Sequence, residues 1–187
     1  MKNYNVVGQS VRRLDAAEKA TGTAVFSSDF TLPGMLYGKV LRSPYAHARI
    51  VSIDTTEAEK LPGVKAVVTY KNTPREIFNT SATMTFTVPA LKPVLDQYIF
   101  DSVVRYVGDE VAAVAAVSEK LAEEALKLIK VEYEELPAVF DPLEAMKPEA
   151  PDIHANCKEG KNIIGEIIKI PMGDVEKGFK ECDLVIE

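Results

Sequence analysis

The side chains best suited to catalysis or metal binding are few in this sequence, and they lie far apart. Its only histidines are His47 and His154, and its only cysteines are Cys157 and Cys182. A zinc or iron–sulfur site needs several such ligands at short spacing, and a disulfide framework needs further cysteine pairs. We therefore expect no metal centre within this chain, a structural or surface role for each histidine, and ordinary thiols at both cysteines.

A cluster of polar side chains begins at Arg42 and Ser43, beside a strand break at Pro44, and continues to His47 and Arg49. Such a cluster can bind an anion or a neighbouring domain, because arginine donates several hydrogen bonds in a fixed geometry. A turn flanked by charged strand ends explains the same residues without any binding role. The sequence alone leaves both interpretations open.

Two further patterns resemble catalytic motifs only in part. Glu132, Glu134 and Glu135 bring acids together, as acid–base catalysis requires, but consecutive acids of this kind usually form a solvated face. Gly8 and Gly108 are isolated, whereas a phosphate-binding loop or a dinucleotide fingerprint needs several glycines at fixed spacing. The residues of the chain therefore indicate an α+β domain, whose elements are given below, and they contain no recognisable active site.

Composition narrows the class of protein. The chain has 187 residues, of which 47% are hydrophobic and 27% charged, as is typical of one packed globular domain. A net charge of −6 argues against nucleic-acid binding, which needs clustered cations. No apolar run approaches the roughly 20 residues that span a bilayer, and the first ten residues are too polar for a secretory signal. We expect no membrane partner and a cytoplasmic location.

Apolar and β-branched runs between Pro and Gly residues predict the elements that position these side chains. Ser118 is predicted to cap the most regular helix, whose apolar stripe is Leu121, Ala125, Leu128 and Ile129. Strands are predicted at Thr23–Ser27, Met35–Leu41, His47–Asp54, Val64–Tyr70, Val111–Val117, Val131–Leu136, Ile163–Ile170 and from Asp183 onward. Shorter helices are predicted from Thr55 or Thr56 to Lys60, at Pro142–Met146 and from Asp174 to Lys180.

The predicted order of strand, helix and strand occurs twice. It occurs first between His47 and Tyr70, and again between Glu110 and Leu136 with a longer helix. Asn72 to Tyr98, which is rich in threonine and contains three prolines, separates the two units. We expect this middle part to be a long irregular excursion.

Several blocks spread along the chain carry a family likeness. They are Arg13-Leu14-Asp15 with Lys19-Ala20-Thr21-Gly22-Thr23, the run Leu41 to Ile50 (LRSPYAHARI), Leu61 to Thr69, Val104 to Val114, Val131 to Pro137, and Gly173-Asp174-Val175 with Phe179. In this order they resemble the large subunit of molybdenum hydroxylases of the xanthine dehydrogenase and aldehyde oxidase family. Phe26 departs from the family's commoner Tyr, and Asp109-Glu110 departs from its usual Glu-Pro. Both departures concern the subfamily.

The resemblance implies an N-terminal α/β-hammerhead domain, which is an α+β fold with a mixed sheet and a few short helices. It also implies a parent oxidoreductase that inserts a water-derived oxygen into a heteroaromatic or aldehyde carbon. Such enzymes use molybdopterin-bound molybdenum with iron–sulfur clusters and, in some cases, FAD. In the family, the molybdopterin contacts and the general-base glutamate lie in later domains. The resemblance therefore assigns no catalytic, cofactor-binding or metal-binding residue to this chain.

We expect residues 1–140 to form the hammerhead core and residues 141–187 to extend the same domain, ending before the molybdopterin-binding domains. The expected role is a non-catalytic scaffold that contacts those domains, the iron–sulfur subunit or domain, and an FAD subunit where one exists. The candidate contact residues are Arg13, Asp15, Lys19, Arg42, Ser43, His47 and Arg49. The alternative is a free-standing interaction or ligand-binding module without redox activity.

Overall fold

Two three-stranded sheets form the centre of the molecule. The computed structural model describes residues 6–80, 95–154, 162–163 and 172–186. The first sheet has the order β1-β5-β3 and the second the order β4-β2-β6, and every registered pair is antiparallel. The strands are β1 (Tyr37–Arg42), β2 (Ala48–Asp54), β3 (Val64–Thr69), β4 (Val103–Val104), β5 (Glu110–Ala116) and β6 (Lys130–Glu135).

Short helices connect and flank these strands. The described helices are α1 (Ala16–Thr21), α2 (Thr56–Glu59), α3 (Glu119–Leu128), α4 (Pro142–Ala145) and α5 (Val175–Glu181), with a 3-10 turn at Ser27–Asp29. The predicted α+β class is therefore confirmed, with the strands divided between two antiparallel sheets.

The two strand–helix–strand units interlock. In the first unit β2 leads through α2 to β3, and in the second β5 leads through α3 to β6. The first strand of one unit pairs with the last strand of the other, because β2 pairs with β6 and β3 pairs with β5. Each unit thus contributes one strand to each sheet, so that neither sheet forms without both units.

The core is built from small side chains. β5 runs through the middle of its sheet, and Val111, Ala112, Val114 and Ala116 on it are at most 1% exposed. The largest fully buried side chains of the described residues are valines. One continuous cluster joins both sheets with α2 and α3, and its members are Ala48, Ile50, Ile53, Ala58, Val67, Val104, Val111, Ala112, Val114, Ala116, Ala122, Ala125 and Ile129.

The helix predicted after Ser118 is confirmed as α3. The Ser118 hydroxyl accepts a hydrogen bond from the Leu121 N–H at 3.3 Å, which is an N-cap contact. The predicted stripe was wrong at one position, since Leu128 is 38% exposed and Ala122 is fully buried. Alanine methyl groups allow α3 to pack closely on β1 and β5, and this packing turns Leu128 toward solvent.

Most other predicted elements are also confirmed. The strands predicted at Met35–Leu41, His47–Asp54, Val64–Tyr70, Val111–Val117 and Val131–Leu136 occur as β1, β2, β3, β5 and β6, with ends displaced by at most two residues. The short helices predicted after Thr55, at Pro142 and after Asp174 occur as α2, α4 and α5. Asp141 and Asp174 accept hydrogen bonds from first-turn amides of α4 and α5.

The prediction was wrong in the leading segment, defined as residues 6–36. Thr23–Ser27 is not a strand, and the six residues of Ala16–Thr21, for which no helix was predicted, form α1. Strong helix formers in that stretch and Gly22 at φ 74° as its C-terminal cap explain the helix. The predicted strand from Asp183 is also absent over residues 183–186, and most of Ile163–Ile170 lies outside the described residues.

Gly63 lies where the first strand–helix–strand unit contacts the second. Gly63 lies between α2 and β3 with φ 98°, and its carbonyl accepts the Val117 N–H at 3.0 Å. A Cβ atom on Gly63 would lie 2.7 Å from Leu121 Cδ2 and 2.9 Å from Val117 Cγ2. Both the backbone conformation and the available space therefore require glycine here.

We predict that Gly63→Ala lowers the free energy of unfolding by about 2–4 kcal/mol, because it adds left-handed backbone strain to overpacking of Val117 and Leu121. Chemical denaturation measures this loss. Gly38→Ala is the matched control, since Gly38 lies in β1 without a positive φ and has nothing within 4 Å of the place that a methyl group would occupy. Equal stabilities of the two variants would contradict the prediction.

Candidate interaction surface

The three candidate residues of the leading segment bind one another on and beside α1. Asp15 pairs with Arg13 Nε at 2.5 Å and with Lys19 Nζ at 2.5 Å, and all three side chains are well exposed. The hydrogen bonds from Lys19 and Arg13 hold the pKa of Asp15 below its ordinary value. The result is a local, solvent-facing charge cluster.

Arg42 is used within the chain. One of its terminal nitrogens, Nη1, donates to the Gly108 carbonyl and to Glu110 Oε1, both at 2.7 Å. Burial disfavours the charged form of Glu110, but the Arg42 guanidinium holds the pKa of that carboxyl below its ordinary value. The side chain of Arg42 remains 54% exposed, so it can still contact a partner along its outer side.

Asp109 and Glu110 shape the turn before β5 and its contact with Arg42. Asp109 accepts the N–H groups of Arg105 at 2.8 Å and Glu110 at 3.0 Å, which closes the turn before β5. Burial raises the pKa of Asp109 above its ordinary value. Glu110 then supplies the carboxylate that pairs with Arg42 across β1 and β5.

Ser43 and His47 are buried, at 3% and 7% exposure. The Ser43 N–H donates to the Asp109 carbonyl and the Ser43 carbonyl accepts from the Gly108 N–H, both at 2.8 Å. His47 Nδ1 lies 2.6 Å from the Pro137 carbonyl. Since a carbonyl can only accept, Nδ1 carries the hydrogen. Both residues therefore make contacts that organise this part of the chain.

Arg49 lies on the open face of the second sheet. Its side chain is 59% exposed and lies 3.7 Å from Glu134 on β6. The acidic residues Glu132, Glu134 and Glu135 are all exposed, in agreement with a solvated face. Val51 on the same strand is 60% exposed, so this face combines charge with an uncovered apolar residue.

The structure thus brings the seven candidates together only in part. Arg42, Ser43, His47 and Arg49 belong to one continuous turn and its flanking strands. Across the described ranges, no hydrogen bond or ion pair joins that turn to the Arg13, Asp15 and Lys19 cluster. Their role as a contact surface stays a prediction.

Sequence reasoning missed a buried carboxylate at Asp101. This side chain is paired with Arg75 at 2.8 Å and with Arg105 at 2.9 Å, and it accepts the Ser102 N–H at 2.7 Å. The Arg75 guanidinium also lies 4.2 Å from the ring centre of Tyr98. Nothing periodic marks these residues, because Arg75 and Asp101 lie far apart in the sequence and meet only in the folded chain. Residues 81–94, in the centre of the predicted irregular excursion from Asn72 to Tyr98, lie outside the described residues.

His154 lies near a second carboxylate. Its Nδ1 is 3.8 Å from Asp96 Oδ2, and the side chain is 33% exposed. Cys182 is exposed, with its sulfur 3.1 Å from the Phe179 carbonyl, and Cys157 lies outside the described residues. Within the described ranges no three His, Cys, Asp or Glu side chains converge as a metal site would require. No helix there is long and apolar enough to cross a membrane.

Large apolar side chains are left outside the core at both ends of the chain. The C-terminal segment, defined as residues 140–186, holds several of them, and the leading segment holds the others. Those more than half exposed are Val6, Val7, Val11, Leu14, Val25, Phe26, Phe30 and Leu32 in the leading segment, and Phe140, Leu143, Met146, Met172, Val175, Phe179, Leu184 and Ile186 in the C-terminal segment.

Comparison with known proteins identifies this fold. Residues 21–137 match the family described as aldehyde oxidase and xanthine dehydrogenase, a/b hammerhead domain. The fold also resembles quinoline 2-oxidoreductase from Pseudomonas putida 86, with a TM-score of 0.64 and 37% identity over 76% of this chain and 18% of that chain. A similar likeness extends to the aldehyde oxidoreductase of Desulfovibrio gigas, with a TM-score of 0.67, 34% identity, and coverage of 76% of this chain and 16% of that one.

Curated relatives give the same result. The chain is 46% identical to a probable xanthine dehydrogenase subunit of Bacillus subtilis (strain 168), over 94% of this chain and 22% of that protein. It is 39% identical to the nicotinate dehydrogenase large molybdopterin subunit of Eubacterium barkeri, over 100% of this chain and 40% of that protein. The chain therefore spans less than half the length of either relative.

The architecture is that of an α/β-hammerhead domain. The chain belongs to the aldehyde oxidase and xanthine dehydrogenase family, as its sequence blocks suggested.

We predict that Asp101→Asn lowers the free energy of unfolding at pH 7 by about 2–4 kcal/mol, because it leaves Arg75 and Arg105 without their carboxylate. Burial alone would raise the pKa of Asp101, but Arg105, the Ser102 N–H and Arg75 together hold it below its ordinary value. A depressed pKa in the folded state stabilises the protein above the unfolded pKa of about 4, and this contribution is lost as the pH falls through the folded value.

The stability difference between the natural chain and Asp101→Asn should therefore shrink as the pH falls below about 4, as measured by denaturation at a series of pH values. Asp183→Asn, at an exposed position in the C-terminal segment, is the control and should change little. A difference that stays constant from neutral to acidic pH would count against the assigned ion pairs.

Proposed function

We propose that this chain is a non-catalytic scaffold and interface domain of a molybdopterin-dependent hydroxylase. The parent enzyme would be an oxidoreductase of the xanthine dehydrogenase and aldehyde oxidase type, acting on a heteroaromatic or aldehyde substrate. The observation that carries this proposal is the concentration of exposed large apolar side chains in the leading and C-terminal segments. Large amounts of exposed apolar surface are typical of proteins that contact a partner.

The contacts of the polar side chains favour a scaffold role for this chain. Three arginines that could suit an anionic cofactor form ion pairs within the chain. Arg42 pairs with Glu110, and Asp101 pairs with both Arg75 and Arg105. His47 donates its Nδ1 hydrogen to a main-chain carbonyl. These residues do not fit a molybdopterin site. We therefore assign the molybdopterin, the iron–sulfur clusters and any FAD to other domains or subunits of the parent enzyme.

The partners follow from the same proposal. The molybdopterin-binding domains of the large subunit would cover the apolar side chains, and the iron–sulfur subunit or domain, with an FAD subunit where present, would complete the complex. The Arg42 to Arg49 turn and the Arg13 to Lys19 cluster are its candidate polar contacts. Arg42 and Arg49 are the residues of the turn whose charged side chains are open to a partner. A cytoplasmic location remains part of the proposal.

We predict that the purified 187-residue chain contains no molybdenum or pterin and oxidises neither purines nor aldehydes. The reason is that the buried His47 and Asp101 side chains are paired within the chain, and that no three His, Cys, Asp or Glu side chains of the described residues converge as a metal site would require. Elemental analysis for molybdenum, fluorescence of the oxidised pterin, and dye-reduction assays measure the three properties. Stoichiometric pterin or turnover in this chain alone would overturn its assignment as a non-catalytic domain.

Assembly can be measured with the immobilised chain and the polypeptide that carries the molybdopterin-binding domains of the same enzyme. Phe26→Asp with Phe30→Asp should weaken binding at least about tenfold, because a charge replaces apolar contact area at two exposed positions. Ile99→Asp is the matched control, since Ile99 is about as exposed but lies outside both terminal segments and outside the Arg42 to Arg49 turn, and it should bind as the natural chain does.

The charged turn is a separate arm of that experiment. Arg49→Glu, alone and with Arg42→Glu, should weaken the same binding if the turn is a contact surface. Because Arg42 pairs with Glu110, the double variant needs a denaturation curve to establish that its fold is intact. Unchanged binding by both the Phe and the Arg variants would discard the interface, and no binding by the natural chain would favour a free-standing module.

A further inference from the structure

We propose that Arg105 is a latch that couples two segments of the chain lying on either side of it. The first is the stem, defined as residues 75–80 and 95–101. The second is the extension, defined as residues 141–154 with Asn162. Through Arg105, the order of either segment depends on the order of the other. This inference does not depend on the proposed function.

The stem is a closed pair of strand-like segments. Phe78 and Gln97 exchange two main-chain hydrogen bonds, at 2.9 and 3.0 Å. The Gln97 side chain accepts the Thr80 N–H at 3.2 Å, and the Asn79 amide donates to Asp96 at 2.9 Å. Several residues further along each side, Arg75 reaches Asp101. The stem is therefore held at one end by main-chain pairing and at the other by an ion pair to the buried carboxylate of Asp101.

The extension is organised by one side chain. Asn162 Oδ1 accepts the Ile153 N–H at 3.0 Å, and its Nδ2 donates to the Pro151 carbonyl at 2.9 Å and the Ala145 carbonyl at 3.1 Å. These three contacts join Asn162 to the end of α4 and to the segment that follows it. They also fix the orientation of the peptide groups around Ile153, whose carbonyl faces Arg105.

Arg105 joins the two segments. Its Nε donates to the Ile153 carbonyl at 3.1 Å, while its Nη1 lies 2.9 Å from Asp101 Oδ2 and donates to the Val103 carbonyl at 3.1 Å. The Arg105 side chain is only 16% exposed. The same two segments also approach each other at a second place, where Asp96 of the stem lies 3.8 Å from His154 of the extension.

The planar guanidinium makes this junction cooperative. Its nitrogens are fixed relative to one another, so the orientation that pairs with Asp101 is also the one that presents Nε to Ile153. Loss of either partner removes one of the contacts that fix this orientation, and the contacts that remain, including the one to the Val103 carbonyl, then hold the guanidinium less firmly. Such coupling is reciprocal, because both segments bias the same side chain.

Hydrogen exchange of individual amides in the 187-residue chain tests the latch. Asn162→Ala changes only the extension, yet it should raise exchange at the Phe78 and Gln97 amides of the stem about fivefold, the low end of typical coupling. Arg75→Gln changes only the stem, yet it should raise exchange at the Ile153 amide by a similar factor. Arg105→Lys keeps the charge but loses the fixed geometry, and it should raise both sets.

Each exchange rate is divided by that of the Val114 amide in the centre of β5. This reference separates coupling between the two segments from a general loss of stability. Arg49→Gln is the matched control, because it removes an arginine ion pair outside the stem and the extension and should leave both sets unchanged. The latch is overturned if each variant affects only its own segment, or if the stem and extension amides rise no more than Val114. In the double variant of Arg75 and Asn162, simple addition of the two effects would also overturn it.

Discussion

The close approach of Gly63 to Val117 and Leu121 is the constraint on which the rest of the fold depends. It occurs where the first strand–helix–strand unit enters β3 and the second leaves β5. A side chain at this point would press on Val117 and Leu121, and it would strain the approach of β3 to β5. Because each unit supplies one strand to each sheet, the same strain would reach β2 and β6 through their connections. One hydrogen atom in place of a methyl group thus permits the interlocked arrangement.

Around this centre, the polar residues that look chemically active hold the main chain in place. In the run from Arg42 to Arg49, Arg42 binds the Gly108 carbonyl, Ser43 extends the pairing of β1 toward Asp109, and His47 binds the Pro137 carbonyl. Buried polar groups need such partners, because an unpaired one costs more than the hydrogen bond gains. A motif with Arg, Ser and His can therefore be structural throughout, and spacing along the chain does not separate that case from a binding site.

The parts of the fold that sequence predicts well are those fixed by local pattern. The apolar run of β5 and the capped, periodic helix α3 follow from residue spacing, and the order of the family blocks identifies the hammerhead fold. Leu128 was misplaced because the neighbours of a helix decide which edge of its stripe is buried. The Asp101 cluster was missed because Arg75 lies far from Asp101 in the sequence and no helix or strand pattern links Asp101 to Arg105. Of the candidate contact residues, burial of Ser43 and His47 likewise depends on distant strands.

The small-residue core links stability to assembly. Its largest fully buried side chains are valines, whereas Phe26, Phe30, Phe140 and Phe179 are all more than half exposed. Full burial of such a side chain contributes about 1.5–3 kcal/mol, and a whole domain is stable by only about 5–15 kcal/mol. A partner that covered a few of these side chains would therefore contribute as much free energy as a large part of the domain's own stability. On this reasoning, the exposed apolar side chains described in the two terminal segments would gain most from a covering partner, and the interlocked sheets would gain least.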